Sequence, residues 1–394
     1  MSRSRRYVLV AAGALAAAGL AACGSAGATR SATAPASAAS ASAAPALPAC
    51  AATVADTLEQ VAQRIYRVAA SGEDVTEAVD RVRASQALAD AIDGDDARAA
   101  RAALNALLLK QIVRIEVLER GRVFASAGAG AAIAPVRGSI PGTSASFVLS
   151  VQARRNYAQV AGRVTGAQVR LSSGAAGRAR AANEASFGAS LYPAGGLRVM
   201  LAVPAAKISC PGRRARVRVE TLGHVGERIY EEERDSTQAT ATLRLLEGSR
   251  AFRRAVAERS PSATRAAIVG FFEEHLHVVR VRVTIGGRLL VDVGGPYVLA
   301  PVRGTLREHG RVIGRFEMAI QDDAGYLKLA RLFTGAQVLM RVGGRQIMGT
   351  LEPGPARVPE RGSVSYEGRT YQTYSFTGEA FPSGPLRMAL LVEP

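Results

Sequence analysis

Several side chains in the second half of the sequence are of types that bind small polar solutes. The phrase Gln321-Asp322-Asp323-Ala324-Gly325-Tyr326 places two carboxylates where a strand ends and a short helix begins. A carboxylate can receive a ligand amine or guanidinium, and the Arg303 guanidinium can hold a carboxylate through two parallel hydrogen bonds. Tyr371 and Tyr374 each offer an apolar face and a hydroxyl. These types predict a ligand site, with Asp322, Arg303 and the two tyrosines as its contacts.

Each of these residues also has a structural interpretation. Asp323 suits the N-cap of the helix that begins near Tyr326, and this role is favoured for it over ligand binding. Arg303 recurs in the first half as Arg137, within the same Pro-Val-Arg-Gly phrase, which favours a pairing role across a sheet. The additional tyrosines could instead fill a larger core.

Other reaction chemistry finds little support in the sequence. His275 and His277 would share one face of a strand, but a metal needs a third protein ligand, so a solvated helix-to-strand junction is favoured. The nucleophile-elbow, P-loop, Ser-x-x-Lys and zinc-protease patterns are absent. The sequence therefore predicts no enzyme, no metal site and no cofactor.

Composition describes a globular protein of two domains. The chain has 394 residues, of which 48% are apolar and 21% charged. Lys and Arg outnumber Asp and Glu by 50 to 33, for a net charge of +17. The arginines are scattered among acids, and the chain has no Trp, so nucleic-acid binding is not predicted.

The N-terminus is typical of an export signal. Three arginines precede the apolar run from Val8 to Ala22, which is too short for a comfortable transmembrane helix. The run ends in Leu20-Ala21-Ala22-Cys23-Gly24-Ser25, which resembles the bacterial lipobox. The resemblance implies a signal peptide over 1–23 and lipidation of Cys23 at the extracytoplasmic face of the cell membrane. The alternative is an ordinary secretory signal with a chance cysteine.

Residues 24–49 are almost entirely Ala, Gly, Ser, Thr and Pro. Such a segment buries little apolar surface, so it is expected to be a flexible tether.

The rest of the chain is an internal duplication. Residues 57–66 recur as 221–230, with six of ten positions identical at an offset of 164. Further matching phrases follow in the same order. We therefore predict two copies of one domain, over 50–205 and 206–394.

Both copies show helical periodicity first and strand periodicity later. This order, with phrases such as Gly287–Asp292 at a hairpin and Gly310–Phe316 leading into a strand, resembles the extracytoplasmic Cache (PDC-type, PAS-like) sensor domains. The resemblance implies an α+β fold with two tandem Cache-like domains, each with N-terminal helices packed on an antiparallel sheet. It also implies ligand binding outside the cell.

Two cysteines remain after the lipobox. Cys50 and Cys210 each stand just ahead of the first helix of their copy. Because an exported protein meets oxidising conditions, a disulfide between them is predicted. Two buried free thiols are the alternative.

These observations predict a lipid-anchored sensory protein that binds a small solute, or a partner, in support of a membrane signalling protein. The alternative is a structural or protein-interaction module of the cell envelope without a small ligand. The second copy is expected to hold any working pocket, because it has carboxylates where the first has Ala153 and Arg154. It also has an enlarged, tyrosine-containing region over 341–373.

Overall fold

The computed structural model describes the chain from residue 47 onward with four short gaps: 47–108, 111–174, 181–275, 277–382 and 384–394. The predicted signal peptide, Cys23 and nearly all of the tether lie outside these residues. Among the described helices, none is long and apolar enough to span a membrane.

The first copy opens with a long helix because its apolar side chains return every three or four residues. Val54, Leu58, Val61 and Ile65 are all buried on one face of it. The helices of this copy are α1 (Ala51–Ser71), α2 (Glu73–Arg83), α3 (Gln86–Asp93), α4 (Ala97–Leu108) and α5 (Arg154–Thr165). The strands are β1 (Arg114–Glu119), β2 (Arg122–Gly128), β3 (Ala132–Ile133), β4 (Val136–Ser139), β5 (Ser146–Ser150), β6 (Gln152–Ala153), β7 (Gln168–Ser173), β8 (Glu184–Ser190) and β9 (Gly196–Ala202).

The second copy repeats this order of elements. Its helices are α6 (Arg214–Asp235), α7 (Thr237–Gly248), α8 (Arg250–Ala257), α9 (Pro261–Glu274) and α10 (Asp323–Thr334). Its strands are β10 (Arg280–Ile285), β11 (Arg288–Gly294), β12 (Val302–Glu308), β13 (Arg311–Ala319), β14 (Gln337–Val342), β15 (Arg345–Gly349), β16 (Arg361–Tyr366), β17 (Arg369–Glu379) and β18 (Pro385–Val392). The predicted class, α+β with N-terminal helices and antiparallel sheets, is confirmed.

Each copy divides its strands between an outer and an inner antiparallel sheet, and copy one has in addition the short two-stranded sheet β3-β6. In copy one, α2, α3 and α4 cover the sheet β2-β1-β5-β4, and we call this unit the outer lobe. The inner lobe contains α1, α5 and the sheet β7-β9-β8. Copy two repeats the division, with outer sheet β11-β10-β13-β12 and inner sheet β15-β14-β18-β17-β16. The enlarged 341–373 region thus supplies two edge strands, β15 and β16.

The outer lobes have separate cores, whereas the inner lobes share one. Phe147 is fully buried in the first outer core, and Phe252 and Phe316 meet edge to face in the second. The shared core takes buried residues from α1 and α5 of copy one and from α6 and α10 of copy two. We call this contact between the inner lobes the seam, and it holds the copies together through apolar burial.

A disulfide joins the two copies at one end of the seam. Cys50 precedes α1, and Cys210 lies shortly before α6, with 5.6 Å between their Cα atoms. The bridge ties together the starts of the two long helices.

Candidate functional site

The two aspartates of the predicted site have distinct structural contacts. Asp322, rather than Asp323, is the N-cap of α10, and its Oδ1 accepts a hydrogen bond from Gly325 N at 2.6 Å. Asp323 instead accepts a hydrogen bond from Val298 N at 3.0 Å, which pins the preceding loop to the start of α10. Asp322 therefore has the capping role that the sequence predicts for Asp323, because α10 begins at Asp323 itself rather than near Tyr326.

Carboxylates gather at this helix start. Asp322 is 3% exposed, and its Oδ2 is buried without a hydrogen-bond partner. Burial raises the pKa of Asp323 to about 6. Burial, together with the charges of Glu232 and Asp322, raises the pKa of Glu233 on α6 to about 8. Burial at this place thus disfavours the charged forms of Asp323 and Glu233. Copy one has Ala69 at the position of Glu233.

The two predicted tyrosines contact different parts of the protein although both lie on β17. Tyr371 packs in a small cluster that includes Leu339 and Val358. Tyr374 belongs to the shared core and covers Gly223 of α6, where any side chain would collide with its ring. The two tyrosines thus lie in different clusters.

The Tyr374 hydroxyl makes polar contacts although the side chain is buried. Its hydroxyl meets His224 Nδ1 at 3.0 Å, and the Arg361 guanidinium lies 3.6 Å from its ring centre. The same His224 nitrogen meets Glu227 at 2.8 Å. These contacts occupy the polar tip of Tyr374.

Arg303 pairs with carboxylates of its own copy. Its guanidinium contacts Glu317 at 3.0 Å, directly across the sheet on β13, and Glu379 at 2.7 Å. The equivalent Arg137 lies opposite Val148 and donates to Pro193 O at 3.2 Å, so the pairing across the sheet is made in copy two and not by its counterpart. Arg303, Asp322 and the two tyrosines line neither of the cavities described below.

The two strand-junction histidines make ordinary contacts. His275 ends α9 and its ring lies 4.2 Å from that of Phe271. His277 Nε2 meets the Thr242 hydroxyl at 2.9 Å. Among the residues with described positions, no group of three or more His, Cys, Asp or Glu side chains is placed to hold a metal ion.

Two open cavities lie on the seam. Cleft A, of about 440 Å³, is formed by the end of α1, the start of α2 and one face of α10. Cleft B, of about 640 Å³, is formed by the end of α6, the end of α5 and the segment that follows β9. Each cleft therefore combines the long helix of one copy with the short helix of the other.

Reciprocal arginine contacts relate the two clefts. Arg64 of α1 donates from Nη1 to the carbonyls of Phe333 and Thr334 at the end of α10, at 3.2 and 2.5 Å. Arg228 of α6 donates from Nη1 to the carbonyl of Thr165 at the end of α5, at 2.9 Å. A guanidinium satisfies helix-terminal carbonyls and complements the helix dipole. Such reciprocity is the mark of a two-fold interface, here within one chain.

Cleft A contains two guanidinium groups, those of Arg64 and Arg67. The pKa of Arg64 is lowered by burial and by the nearby charges of Arg67 and Arg218. Arg67 is exposed, and the ion pairs of the described residues do not include it. At the far end of the cleft, Lys328 pairs with Glu73 at 2.9 Å.

Cleft B has the equivalent capping arginine, Arg228, with acids beside it. Burial lowers the pKa of Arg228, but Glu231 and Glu227 oppose that shift. Arg163 pairs with Glu232 at 2.9 Å. The offset of 164 places Glu231 at the position that Arg67 occupies in copy one. One substitution between the copies therefore reverses the charge beside the capping arginine.

The arginines of the seam are not among the predicted site residues. The signal was present, because Arg64-Ile65-Tyr66 recurs unchanged as Arg228-Ile229-Tyr230. Their partners lie 269 and 63 residues away in the chain, so the sequence alone does not pair them.

Comparison with known proteins gives distant structural likenesses. The sequence matches no family description and no curated protein. The sensory domain of the Campylobacter jejuni chemoreceptor Tlp3, solved with isoleucine bound, is 9% identical with a TM-score of 0.30, covering 44% of this chain and 91% of that one. The Vibrio cholerae LuxQ periplasmic domain is 14% identical with a TM-score of 0.27, covering 45% and 95%.

A third solved structure is similar at the same level. The ligand-binding domain of the Pseudomonas fluorescens chemoreceptor CtaA, in complex with L-alanine, is 11% identical with a TM-score of 0.26. The match covers 44% of this chain and 96% of that one. Two of these three structures are described as a sensory or a ligand-binding domain of a chemoreceptor, and all three TM-scores lie below 0.5.

Proposed function

We propose that this chain is a lipid-anchored, extracytoplasmic solute-binding protein that acts in sensing, and that it binds its solute at the seam between the two copies. The observation that carries the proposal is cleft A, a cavity of about 440 Å³ lined by the guanidinium groups of Arg64 and Arg67. Its volume falls in the range of small-molecule sites.

The location of the cleft supports a sensory role. A ligand in cleft A touches α1 of copy one and α10 of copy two together. Binding there favours whichever arrangement of the copies fits the ligand, because a ligand shifts an equilibrium by its difference in affinity for the two states. A membrane signalling protein that contacts both copies would then respond to a change in their relative position.

The outer lobes are poorer candidates for the solute site. Large apolar side chains, among them Phe147 in copy one and Phe316 in copy two, are fully buried in their cores. The proposal therefore moves the site from Asp322, Arg303 and the tyrosines to the seam.

One observation favours the second candidate, an envelope interaction module without a small ligand. Leu289 and Val312 are 54% and 48% exposed, and both lie just after hairpin turns at one end of the second outer sheet. Exposed apolar side chains at one tip can contribute to a protein contact.

A thermal-shift screen of the soluble 50–394 protein against amino acids, organic acids and sugars tests the proposal. A solute that binds the folded state raises the melting temperature in a concentration-dependent way, because binding adds to stability by mass action. Saturable stabilisation by at least one solute is expected. A screen that yields no stabilising solute at millimolar concentration would favour the interaction module.

The anchor is tested separately with Cys23→Ala. The lipobox resemblance and the apolar run before it support lipidation at Cys23. The variant is expected in the soluble fraction after a salt wash, whereas the unchanged protein stays with the membranes. Retention of the variant in salt-washed membranes would contradict a lipid anchor at this residue.

A further inference from the structure

We propose that cleft A binds a small organic monocarboxylate with an apolar body, and that cleft B has lost this capacity through its acidic side chains. This inference rests on the proposed function and names its ligand class. Both clefts lie at the seam, so the inference does not depend on ligand binding in the outer lobes.

The recognition of a carboxylate follows from the guanidinium groups. Arg64 is held in place by the carbonyls at the end of α10, which leaves its other nitrogens free of that contact. Arg67 lies almost one turn further along α1 and also lines the cleft. Guanidinium groups bind carboxylates through paired, charge-assisted hydrogen bonds. Burial, and after it the charges of Arg67 and Arg218, lower the pKa of Arg64, and a ligand carboxylate would offset the repulsion among these three arginines.

The apolar body is recognised by the floor of the cleft. Val68 and Leu332 line it from α1 and α10, and the Leu332 side chain is 38% exposed. A branched aliphatic chain that packs against these two side chains would be removed from water, which favours binding. Leu332 therefore acts as a docking surface for a short hydrocarbon chain.

The far end of the cleft opposes a second anionic group. Asp74 lines it, and burial together with Glu77 and Glu73 raises the pKa of Asp74, while Lys328 opposes the shift. Lys328 already pairs with Glu73. A dicarboxylate would bring its second charge toward these acids, so a monocarboxylate is preferred.

Cleft B, the equivalent cavity formed by α6 and α5, can be compared with cleft A position by position. Glu231 stands where copy one has Arg67, and Glu232, paired with Arg163, stands where copy one has Val68. The duplication has thus kept the capping arginine in both clefts, whereas the positions of Arg67 and Val68 in cleft A are acidic in cleft B.

The test measures binding of isocaproate (4-methylpentanoate) to the purified full chain by calorimetry and thermal shift. Its neutral amide and adipate, a dicarboxylate of the same carbon number, serve as matched probes. Isocaproate is expected to bind at least about tenfold more tightly than either probe, since the loss of one good charge-assisted pair weakens binding by about that factor.

Two variants place the site. Arg67→Glu, which copies the residue of cleft B, is expected to weaken isocaproate binding by at least about tenfold. Glu231→Gln in cleft B is the control and is expected to bind as the unchanged protein does. Because Arg67 is exposed, its replacement should preserve folding, and Arg67→Gln, with unaltered far-ultraviolet circular dichroism, provides a second variant.

The outcomes separate this inference from the proposed function. Equal binding of isocaproate by Arg67→Glu, or equal binding of the amide, overturns the carboxylate assignment. Saturable binding of a neutral solute, insensitive to position 67, overturns it as well and leaves the solute-binding proposal intact. If neither these probes nor any solute of the broad screen binds, both fail.

Discussion

Arg64 and Arg228 make the same contact from opposite sides of the seam, yet their surroundings differ in charge. Each arginine holds the end of the short helix of the other copy. Beside Arg64 stands Arg67, whereas beside Arg228 stands Glu231. The comparison shows that contacts that hold the copies together are kept in both halves, while the residues around the cavities have diverged. Equivalent positions that differ between the two copies, on a scaffold that both copies share, are therefore the candidate functional positions.

The largest expected effect concerns the bridge between the copies. Replacing Cys50 and Cys210 with Ser should lower the free energy of unfolding by roughly 3–5 kcal/mol, because the bridge closes a long loop in the unfolded chain. Chemical denaturation of both proteins measures the difference, and a reductant should abolish it. Thiol titration of the unreduced, unfolded 50–394 protein should find no free thiol, and two reactive thiols would remove the claim.

The reciprocal arginines should matter about equally for stability. Arg64→Ala and Arg228→Ala each remove a charged donor from helix-terminal carbonyls, and each should cost about 1.5–3 kcal/mol of unfolding free energy. Denaturant titration of the two variants checks this. If one variant is destabilised and the other is not, the seam does not behave as a two-fold interface.

Much of this fold could be predicted from sequence, since helix and strand periodicities are local. The duplication also fixed the order of elements in both copies. The break between α2 and α3 is harder to predict, because Ala84 and Ser85 alone separate the two helices and Ser85 has an extended backbone. Local apolar periodicity does not register a break of two residues.

The site was less predictable. Asp322, Tyr371 and Tyr374 have suitable chemistry, but their side chains are buried in packing, capping and core contacts. Whether a polar side chain faces a ligand or a helix end depends on contacts between distant segments. The Arg64 contact, across 269 residues, is of this kind.

Glu233, whose counterpart in copy one is Ala69, should make the stability of the protein depend on pH. Its raised pKa means that the folded state binds the proton more tightly than the unfolded state. The stability due to this group is therefore fully present below pH 4.5 and is lost as the pH rises toward about 8. Glu233→Ala, which copies Ala69 of copy one, should remove this loss, a slope of at most about 1.4 kcal/mol per pH unit. Parallel stability curves for the two proteins from pH 4.5 to 8 would contradict it.

The smallest expected effect is a matched pair of hydroxyl deletions. Tyr157 donates to Ala62 O at 3.0 Å, and Tyr326 donates to Gly226 O at 3.2 Å, each tying a short helix to the long helix of its own copy. Tyr157→Phe and Tyr326→Phe should each cost about 1 kcal/mol of unfolding free energy. Thermal unfolding of the two variants checks the equivalence, and a difference of more than about 1 kcal/mol between them would argue against it.

Hydrogen–deuterium exchange with and without saturating isocaproate tests the seam site most directly, because bound ligand slows local opening of the segments that it touches. Protection is expected at the end of α1, at the start of α2 and along α10, and it should be absent in Arg67→Glu. Protection confined to the outer sheets, over 114–150 or 280–319, would contradict a binding site at the seam.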